Sequence, residues 1–261
     1  MEIRDQLQRS IHLEETPKRI VSLVPSQTEL LVDLGLEDRI VGLTKFCVHP
    51  AYLRKEKTIV GGTKQVNFGE IKALNPDIIL CNKEENTREI VERLASDYVL
   101  HLSDIADLED TYELIEQYGD IFDVVEEAKK LISDIKSEKH DFEEYIRRQP
   151  VKKVAYFIWR KPWMVAGGGT FIDYLLGLNN MKNVYGDQDR YPVVDLKELK
   201  ETDWILLSSE PFPFQLKHKQ ELENELGKIP IKFIDGEFFS WYGSRLLKAF
   251  RYFKKWREAE S

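Results

Sequence analysis

The chain has 261 residues, of which 42% are hydrophobic and 32% are charged. That length provides one to two domains with sizeable cores, and its 13 Phe, 11 Tyr and 5 Trp exclude an intrinsically disordered chain. A total of only two cysteines excludes a disulfide scaffold. The net charge of −8 argues against nucleic acid as the main partner, because phosphate binding requires a basic surface.

The start of the chain and its hydropathy bear on cellular location. No apolar run reaches the roughly 20 residues that cross a bilayer, so we expect no membrane insertion. Met1 is followed by Glu2, Arg4 and Asp5, without the apolar stretch of a signal peptide. A cytoplasmic location is therefore expected. A periplasmic or cell-surface location is the alternative if the natural chain begins earlier.

Up to residue 107, the sequence alternates between short apolar runs and helical patterns. Arg19–Val24 reads as a strand, and Ser26 with Glu29 three residues later has the spacing of a capping box that opens a helix. The remaining elements predicted here are strands at 40–43, 77–81 and 98–102 and helices at 67–74 and 89–95. Such alternation predicts a parallel sheet.

Between residues 108 and 148, the pattern changes to a continuous helical period. One interpretation is two helices that are broken near Gly119. The other adds one long helix, over about Phe122 to Arg148, that joins two lobes. The uninterrupted period favours the long helix.

After Pro150, the alternation of strands and helices resumes. The predicted elements are strands at 151–158, 204–207 and 231–234 and helices at 170–178, 196–199 and 244–256. The predicted fold class is therefore α/β, with two Rossmann-like lobes of parallel sheet joined by one long helix. The predicted domains are an N-terminal lobe at 1–107, the connecting helix at 108–149 and a C-terminal lobe at 150–261.

The two halves of the chain echo each other. Glu70-Ile71 precedes the run from Asn75 to Leu80, and Glu198-Leu199 similarly precedes a run from Thr202 to Leu207. Each stretch reads as a short helix, an aspartate and a buried strand. The echo favours two similar lobes, although an α/β chain also produces such echoes by chance.

Loops beyond the carboxyl ends of the strands hold the candidate binding residues, because open parallel sheets bind ligands there. The aromatic candidates, which would wall a flat and partly apolar ligand, are Phe46, Trp163, Trp241 and Tyr242. The basic candidates, which would pair with acidic groups of the ligand, are Lys64, Arg160 and Arg245. The acidic candidates, which would balance these charges or bind a cation, are Glu84, Glu85 and Glu210. There are alternatives to ligand binding. The aromatic side chains would then pack as lids over the protein interior, and the charged side chains would form internal salt bridges or be exposed to solvent.

Cys47 and His49 form a Cys-x-His pair before Pro50. They are candidate soft metal ligands, or an axial ligand for chelated cobalt or iron. The alternative is a buried thiol beside a hydrogen-bonded imidazole, since no nearby cluster of Cys or His completes a zinc site. Similarly, the run Gly167-Gly168-Gly169 offers either free N–H groups for an anion or a tight strand-to-helix turn.

Recognisable catalytic motifs are missing from the sequence. It contains no GxSxG and no HExxH pattern, and the glycine run lacks the P-loop spacing. Cys47 and His49 would be a nucleophile and a base, but no third orienting group can be named. We therefore do not expect an enzyme, and a cytosolic enzyme that depends on the Cys47 thiol is the alternative.

Longer motifs occur in a distinctive order: RIVSLVPSQTELLVDLGL, VGLTKFCVHP, VGG, LNPDIIL, then a long helix, GGGTFIDYLLGL and NVYGD. From about Thr16 to Arg251, the chain resembles the helical-backbone metal receptor superfamily. Its members are substrate-binding proteins of ABC importers for cobalamin, iron-siderophores and haem. The resemblance implies a class III periplasmic binding protein-like fold, with a metal chelate bound in the cleft between two lobes.

The resemblance also implies the kind of ligand. We expect a corrinoid such as cobalamin, haem or a ferric siderophore, bound as cargo without an intrinsic cofactor. The stretches TKFCVHP, NKEEN, IWRKPWM and DGEFFSWYGSR resemble a leaderless subgroup of the superfamily. Phe46 falls where cobalamin-binding relatives place an aromatic side chain, but Thr63 stands where they place a tryptophan.

An ABC permease is the partner that the resemblance implies. Importer-type members dock through one glutamate on each lobe, and those two positions hold Gly69 and Lys197 here. Glu70 and Glu198 each lie one position away, and one residue turns a helical side chain by about 100°. This displacement argues against docking. We expect a monomer that serves an importer or, without a leader, holds the ligand inside the cell.

Overall fold

The computed structural model describes residues 1–260. They form two compact units: unit 1 comprises residues 1–136 with 242–246, and unit 2 comprises residues 137–241 with the chain from 247 onward. Each unit contains a parallel sheet covered by helices, which confirms the predicted α/β fold class. In the described part of the chain, no helix is long and apolar enough to span a membrane.

Unit 1 is built on a five-stranded sheet with the order β5-β4-β3-β6-β7, in which all neighbours are parallel. Its strands are β3 (Ile20–Ser22), β4 (Ile40–Leu43), β5 (Thr58–Ile59), β6 (Ile78–Asn82) and β7 (Leu100–Ser103). An antiparallel pair, β1 (Glu2–Arg4) and β2 (Ser10–His12), precedes it. Every residue of β6 and β7 is buried, as expected for parallel strands covered on both faces.

Unit 2 contains a second sheet with the parallel order β10-β8-β11-β12, to which β9 adds an antiparallel strand beside β8. Its strands are β8 (Lys152–Trp159), β9 (Met164–Val165), β10 (Met181–Asn183), β11 (Trp204–Ser208) and β12 (Ile231–Ile234). The apolar runs predicted as strands at 151–158, 204–207 and 231–234 are therefore confirmed within one residue at each end.

The α-helices of the chain are α1 (Pro25–Asp33), α2 (Leu53–Glu56), α3 (Phe68–Leu74), α4 (Arg88–Ala95), α5 (Leu108–Phe122), α6 (Val125–Ile146), α7 (Phe171–Leu178), α8 (Leu216–Leu226), α9 (Glu237–Ser240) and α10 (Leu246–Ala259). Single 3-10 turns lie at Glu37–Arg39, Leu196–Glu198 and Gly243–Arg245. The predicted helix at 196–199 is thus a 3-10 turn, and α10 begins two residues later than predicted.

The predicted long helix is present as α6, with narrower bounds than Phe122–Arg148. The break lies at Asp123, which adopts φ 56° and ψ 51° and so ends α5 in the left-handed region. Gly119 stays inside α5 and marks a close approach, because a Cβ added there would lie 2.8 Å from the Cβ of Ala128.

The capping box predicted from Ser26 and Glu29 is wrong. Helix α1 begins at Pro25 after Val24, and Val24 provides no side-chain cap. Proline suits the first position of a helix, where its missing N–H would have no intrahelical partner. Ser26 and Glu29 instead lie inside α1 and are buried.

The echo between the two halves has a structural basis. Asp77 Oδ2 accepts hydrogen bonds from the backbone N–H groups of Lys18 and Arg19, at 2.7 and 2.9 Å. Asp203 Oδ2 accepts an equivalent bond from the N–H of Lys153, at 2.7 Å. Each aspartate therefore ties the start of its own buried strand to the start of a neighbouring strand.

Candidate functional site

The candidate residues lie in the loops that follow the carboxyl ends of the strands. In unit 1, these are the loops after β4, β5 and β6, together with the 242–246 segment. In unit 2, they are the loops after β8, β11 and β12. These edges are where parallel α/β sheets bind ligands.

Phe46 is the most exposed of the candidate aromatic side chains, at 49% of its full accessibility. Its ring lies against the loop after β5, where a Cβ added to Gly62 would be 3.1 Å from Phe46 Cε2. Lys45 places its Nζ 5.1 Å from the centre of the ring. About half of Phe46 is thus exposed at this edge of the sheet, and a cation lies beside its ring.

Lys64, Glu84 and Glu85 lie in adjacent loops of unit 1. The Lys64 ammonium donates to the backbone carbonyl of Glu84. The Asn82 side chain accepts from the backbone N–H groups of Glu84 and Glu85, at 2.8 and 3.1 Å. This turn fixes both glutamates just beyond the end of β6.

Glu85 is half-buried, and burial raises the pKa of its carboxyl group. A hydrogen bond from Thr63 and the charge of Lys64 act in the opposite direction. The charge of this carboxyl group also acts to raise the pKa of the Cys47 thiol and of the Tyr242 hydroxyl.

Cys47 is fully buried. Its Sγ lies 3.1 Å from the hydroxyl oxygen of Thr28 and 3.3 Å from that of Thr44. Burial raises the pKa of this thiol, so it is protonated at neutral pH. Over residues 1–260, no group of three or more His, Cys, Asp or Glu side chains is placed to hold a metal ion. A ligating role for Cys47 and His49 stays a prediction.

Tyr242 lies in a buried hydrogen-bond network of unit 1. Its hydroxyl accepts from Gln27 Nε2 at 3.0 Å and lies 3.4 Å from Ser103 Oγ. Gln27 Oε1 in turn accepts from the Tyr118 hydroxyl at 2.8 Å. Burial raises the pKa of Tyr242 to about 12. Only 6% of Tyr242 is exposed, so its side chain stabilises the surrounding loops and offers little surface for ligand contact.

Arg245 pairs with Glu29 inside the same unit. The Nε of Arg245 lies 2.7 Å from Glu29 Oε2, and the two side chains are 6% and 5% exposed. This pair explains why Glu29 is tolerated inside α1, because a buried carboxylate needs a charged partner.

The carboxyl edge of unit 2 carries a cluster of aromatic rings. Trp159 is 41% exposed, and its ring meets Phe212 edge to face with the centroids 5.6 Å apart. Trp163 stacks on Phe214 with an angle of 3° between the planes and 6.1 Å between the centroids. Phe212 and Phe214 join the two pairs at 4.9 Å. The cluster is therefore continuous, with Trp159 as its exposed end.

Arg160 is held by a bidentate ion pair. Its Nε and Nη2 each lie 2.8 Å from an oxygen of Glu221 on α8. This hydrogen-bonded pairing raises the pKa of Arg160 and lowers the pKa of Glu221. The guanidinium also lies 5.6 Å from the Trp163 ring, so the pair braces the aromatic cluster.

Glu210 has an internal role. Its Oε1 accepts from the indole N–H of Trp241 at 2.9 Å and from the Ser240 hydroxyl. Trp241 is only 7% exposed. These contacts fix the turn after α9 to the loop after β11.

The glycine run at 167–169 forms the tight turn that was one of the two interpretations. The N–H groups of Gly167 and Gly168 donate to the carbonyls of Arg190 and Gln188, both at 2.7 Å. A Cβ at either glycine would lie 2.3 Å from a backbone oxygen of the 186–190 loop. The run therefore has a packing role, and these two N–H groups are already bonded.

The sequence analysis did not name several residues that lie in these loops or contact them. In the loop after β11 they are Phe212 and Phe214, and on the helices and strands they are Gln27 of α1, Asn82 of β6, Ser103 of β7 and His218 and Glu221 of α8. The His218 ring contacts Phe214 with the centroids 5.8 Å apart. Trp159, Phe212 and Phe214 lie in loops that the sequence did single out, and their ring type was the available signal. Glu221 lies in the polar helix α8, which the hydrophobic periodicity does not predict. No local sequence pattern connects Glu221 to Arg160.

Comparison with known proteins identifies relatives of the chain. A sequence profile of the family described as periplasmic binding protein matches residues 20–225, more than three quarters of the chain. An uncharacterized ABC transporter substrate-binding lipoprotein, YvrC of Bacillus subtilis, is 28% identical over 194 residues, which are 71% of this chain and 61% of that relative. The chain thus spans less than two thirds of its length. A vitamin B12-binding protein of Pectobacterium carotovorum is 23% identical over 89% of this chain and 86% of its own.

Solved structures show the same fold. The periplasmic vitamin B12 binding protein BtuF of Vibrio cholerae superimposes with a TM-score of 0.78 at 19% identity, covering 94% of this chain and 98% of its own. A periplasmic haem-binding protein of Pseudomonas aeruginosa gives a TM-score of 0.79 at 21% identity, covering 91% of each chain.

Proposed function

This chain belongs to the periplasmic binding protein family, and from that premise we propose that it binds a metal chelate as the substrate-binding protein of an ABC importer. The ligand classes are corrinoids, haem and ferric siderophores. Relatives named as vitamin B12-binding and as ABC transporter substrate-binding proteins support the proposal. The loops at the carboxyl ends of the strands would hold the ligand.

The observation that carries the proposal is the exposure of large rings at these edges. Phe46 and Trp159 are 49% and 41% exposed. Phe46 lies in the loop after β4, and Trp159 is the last residue of β8. Large exposed aromatic side chains at a sheet edge mark binding surfaces, and they suit the flat face of a macrocyclic chelate. We assign the stacking role to Phe46 and Trp159, with Trp163 behind Trp159 in the cluster.

The alternative, a thiol-dependent enzyme, is less well supported. A nucleophilic cysteine needs a thiolate that the substrate can reach. The Cys47 side chain is fully buried and burial raises its pKa, so it meets neither condition. We propose that the chain binds its ligand without transforming it.

Docking to a permease is a further part of the proposal. Glu70, in the first turn of α3, and Glu198, in the 3-10 turn at Leu196–Glu198, are both exposed. Gly69 and Lys197, which occupy the implied docking positions, are exposed as well. We infer that any docking uses Glu70 and Glu198. The cytoplasmic location expected from the sequence stays a prediction.

The test is a titration of the purified protein, followed by tryptophan fluorescence, with cyanocobalamin, haemin and ferrioxamine B. At least one chelate should quench the fluorescence saturably, because Trp159 and Trp163 lie at the proposed surface. F46A should weaken that binding by about tenfold, which corresponds to the ~1.4 kcal/mol that a stacked aromatic pair contributes.

F233A is the matched control, since Phe233 in β12 is 39% exposed and is not assigned a ligand contact. It should leave the affinity unchanged. No quenching by any of the three chelates would contradict the proposed function. Equal losses in F46A and F233A would contradict the role of Phe46.

A further inference from the structure

His218, the third residue of α8, lies directly behind the aromatic cluster of unit 2 and is 6% exposed. Its ring centroid lies 5.1 Å from that of Phe212 and 5.8 Å from that of Phe214. Phe212 in turn meets the exposed ring of Trp159 at 5.6 Å. A titratable imidazole therefore supports, from inside, the rings that form the proposed binding surface of this unit.

The same imidazole closes the turn that leads into α8. Its Nδ1 accepts a hydrogen bond from the backbone N–H of Gln215 at 2.9 Å. Because an N–H group donates only to a nitrogen with a free lone pair, Nδ1 carries no proton and the neutral ring carries its proton on Nε2. The bond satisfies a backbone N–H at the start of the helix, where intrahelical acceptors are missing.

Side chains hold both ends of the loop at 209–215, which carries the two phenylalanine rings. At its start, Glu210 Oε1 accepts from the indole N–H of Trp241 at 2.9 Å. At its end, Gln215 donates to His218. This second bond exists only while the imidazole is neutral, because a protonated ring donates at both of its nitrogens.

Burial and nearby cations favour the neutral form of His218. Burial lowers the pKa of the imidazole, and the charges of Lys217 and Arg160 lower it further. The carboxylate of Glu221 acts in the opposite direction, but it already accepts two hydrogen bonds of 2.8 Å from Arg160. The 3-10 turn at Leu196–Glu198 also contacts α8, and it carries one exposed lysine and one exposed glutamate.

We propose that His218 is a positioning residue that makes the aromatic surface sensitive to pH: its neutral ring holds Phe212 against Trp159, and its protonation releases the loop and weakens ligand binding. The effect on binding rests on the proposed function. A proton on Nδ1 ends the bond from Gln215 and places a charge among apolar rings, which is costly. The protein would therefore hold its ligand at neutral pH and release it in acid.

Acid favours the released form of the loop. There the imidazole meets water and binds a proton at about pH 6.5, whereas in the held form it does so only at lower pH. The held form is thus fully favoured above about pH 6.5 and becomes less favoured as the pH falls below it. Between pH 7.5 and 5.5, one such proton changes the ratio of the two forms by at most about tenfold.

The experiment measures the affinity of the full-length protein for cyanocobalamin, haemin and ferrioxamine B at pH 7.5 and 5.5. H218N is the key variant, because the Asn Oδ1 takes the place of Nδ1 as an acceptor and does not titrate. For each chelate that binds, the loss of affinity at pH 5.5 should be at least threefold larger in the wild type than in H218N. Any effect of pH on the chelate itself is shared by both proteins.

Two further variants separate the hydrogen bond from the ring and from histidine titration in general. H218F retains a ring without an acceptor, so at pH 7.5 it should bind at least threefold more weakly than H218N. H12N alters an exposed histidine of unit 1 and should retain the pH dependence of the wild type. Binding at pH 7.5 also verifies that the variants are folded.

Nuclear magnetic resonance tests the same step without a ligand. At pH 7.5, the ring ¹⁵N signals of His218, assigned by their loss in H218N, should be those of the Nε2–H tautomer. As the pH is lowered to 5.5, the amide signals of Phe212, Phe214 and Gln215 should change together with this ring. In H218N, the same amide signals should stay constant.

Each measurement has a result that would overturn the inference. An Nδ1–H tautomer of His218 at pH 7.5, or amide signals that do not follow its ring, would overturn the role of the hydrogen bond. An equal pH dependence of binding in H218N and the wild type, or a reduced one in H12N, would overturn the effect on the ligand. Failure of all three chelates to bind at pH 7.5 would contradict the proposed function, and the resonance titration would then decide whether His218 controls the loop.

Discussion

His101 is a titratable side chain in the core of unit 1. It lies on β7 without exposure, with its Nε2 2.6 Å from Gln117 Oε1 and its ring edge-on to Tyr118 at 5.3 Å. Its Nδ1 has no hydrogen-bond partner among residues 1–260. Burial lowers the pKa of His101, while Gln117 and Asp5 act in the opposite direction. The ring is therefore neutral in the folded protein at pH 7.

We predict that acid destabilises the protein through His101. The unfolded chain binds a proton at about pH 6.5, and the folded chain does so only at lower pH. The free energy of unfolding is thus fully retained above about pH 6.5 and falls as the pH falls below it, by at most ~1.4 kcal/mol per pH unit for one proton. Denaturant unfolding of the wild type at pH 7 and 5.5 measures the loss.

H101F should reduce that loss, because it removes the titrating group and retains a ring. H140Q, at an exposed histidine of α6, should not reduce it. Burial also lowers the pKa of His218, but this residue is present in all three proteins and cancels in the comparison. An identical pH dependence in H101F and the wild type would exclude His101 as the source.

At the scale of elements, two helical glycines differ in what surrounds them. A Cβ at Gly119 in α5 would lie 2.8 Å from the Cβ of Ala128 in α6, whereas a Cβ at Gly177 in α7 would meet nothing within 4 Å. Helix propensity alone favours alanine at both positions. The atoms around each glycine therefore decide whether an alanine raises or lowers the free energy of unfolding.

We predict that G119A destabilises the protein by about 1–3 kcal/mol through overpacking. G177A should stabilise it by about 0.5–1 kcal/mol, because alanine restricts the unfolded chain. Thermal unfolding followed by circular dichroism compares the two variants with the wild type. A stabilising G119A would show that α5 and α6 can separate at no cost.

How far the sequence predicts these elements depends on burial. Strands such as Ile78–Asn82 are continuous apolar runs, and their position is predicted within one residue. Helix α8 has a polar sequence with only His218 and Leu222 buried, so periodicity did not reveal it. The short strands β1, β2, β5, β9 and β10 were missed because two or three residues carry no period.

For the candidate residues, the sequence predicts position better than partners. The strands fix where each carboxyl end lies, so the sequence places these residues in the loops beyond the strands, and their binding roles stay predictions. The partners of the charged residues were not, because Arg160 and Glu221 are 61 positions apart and Glu29 and Arg245 are 216 apart. Only the folded chain brings such pairs together, so the sequence alone does not reveal that Arg160 and Arg245 have internal partners.

At the scale of the whole molecule, residues 242–246 belong to unit 1, although the residues on either side of them belong to unit 2. Within unit 1, this segment contributes the Tyr242 hydroxyl to the network of Gln27 and contributes Arg245 to the pair with Glu29. Unit 1 is therefore completed by residues from near the end of the chain.

We predict that R245M destabilises the protein by about 3–5 kcal/mol, because it leaves the Glu29 carboxylate buried without its cation. The double variant E29Q/R245M should recover a large part of the loss, since it removes the buried charge. Guanidinium unfolding of the two variants and the wild type makes the comparison. A double variant less stable than R245M would show that charge pairing is not the cause.

The turn at Gly167 and Gly168 has a consequence for how such sequences diverge. The space for a side chain at either glycine is filled by the backbone of residues 186–190. A descendant sequence that replaces one of these glycines must also lengthen, shorten or reshape that loop. Across distant relatives of this sequence, the two stretches should therefore covary, and a GGG run retained for this packing carries no information about ligand preference.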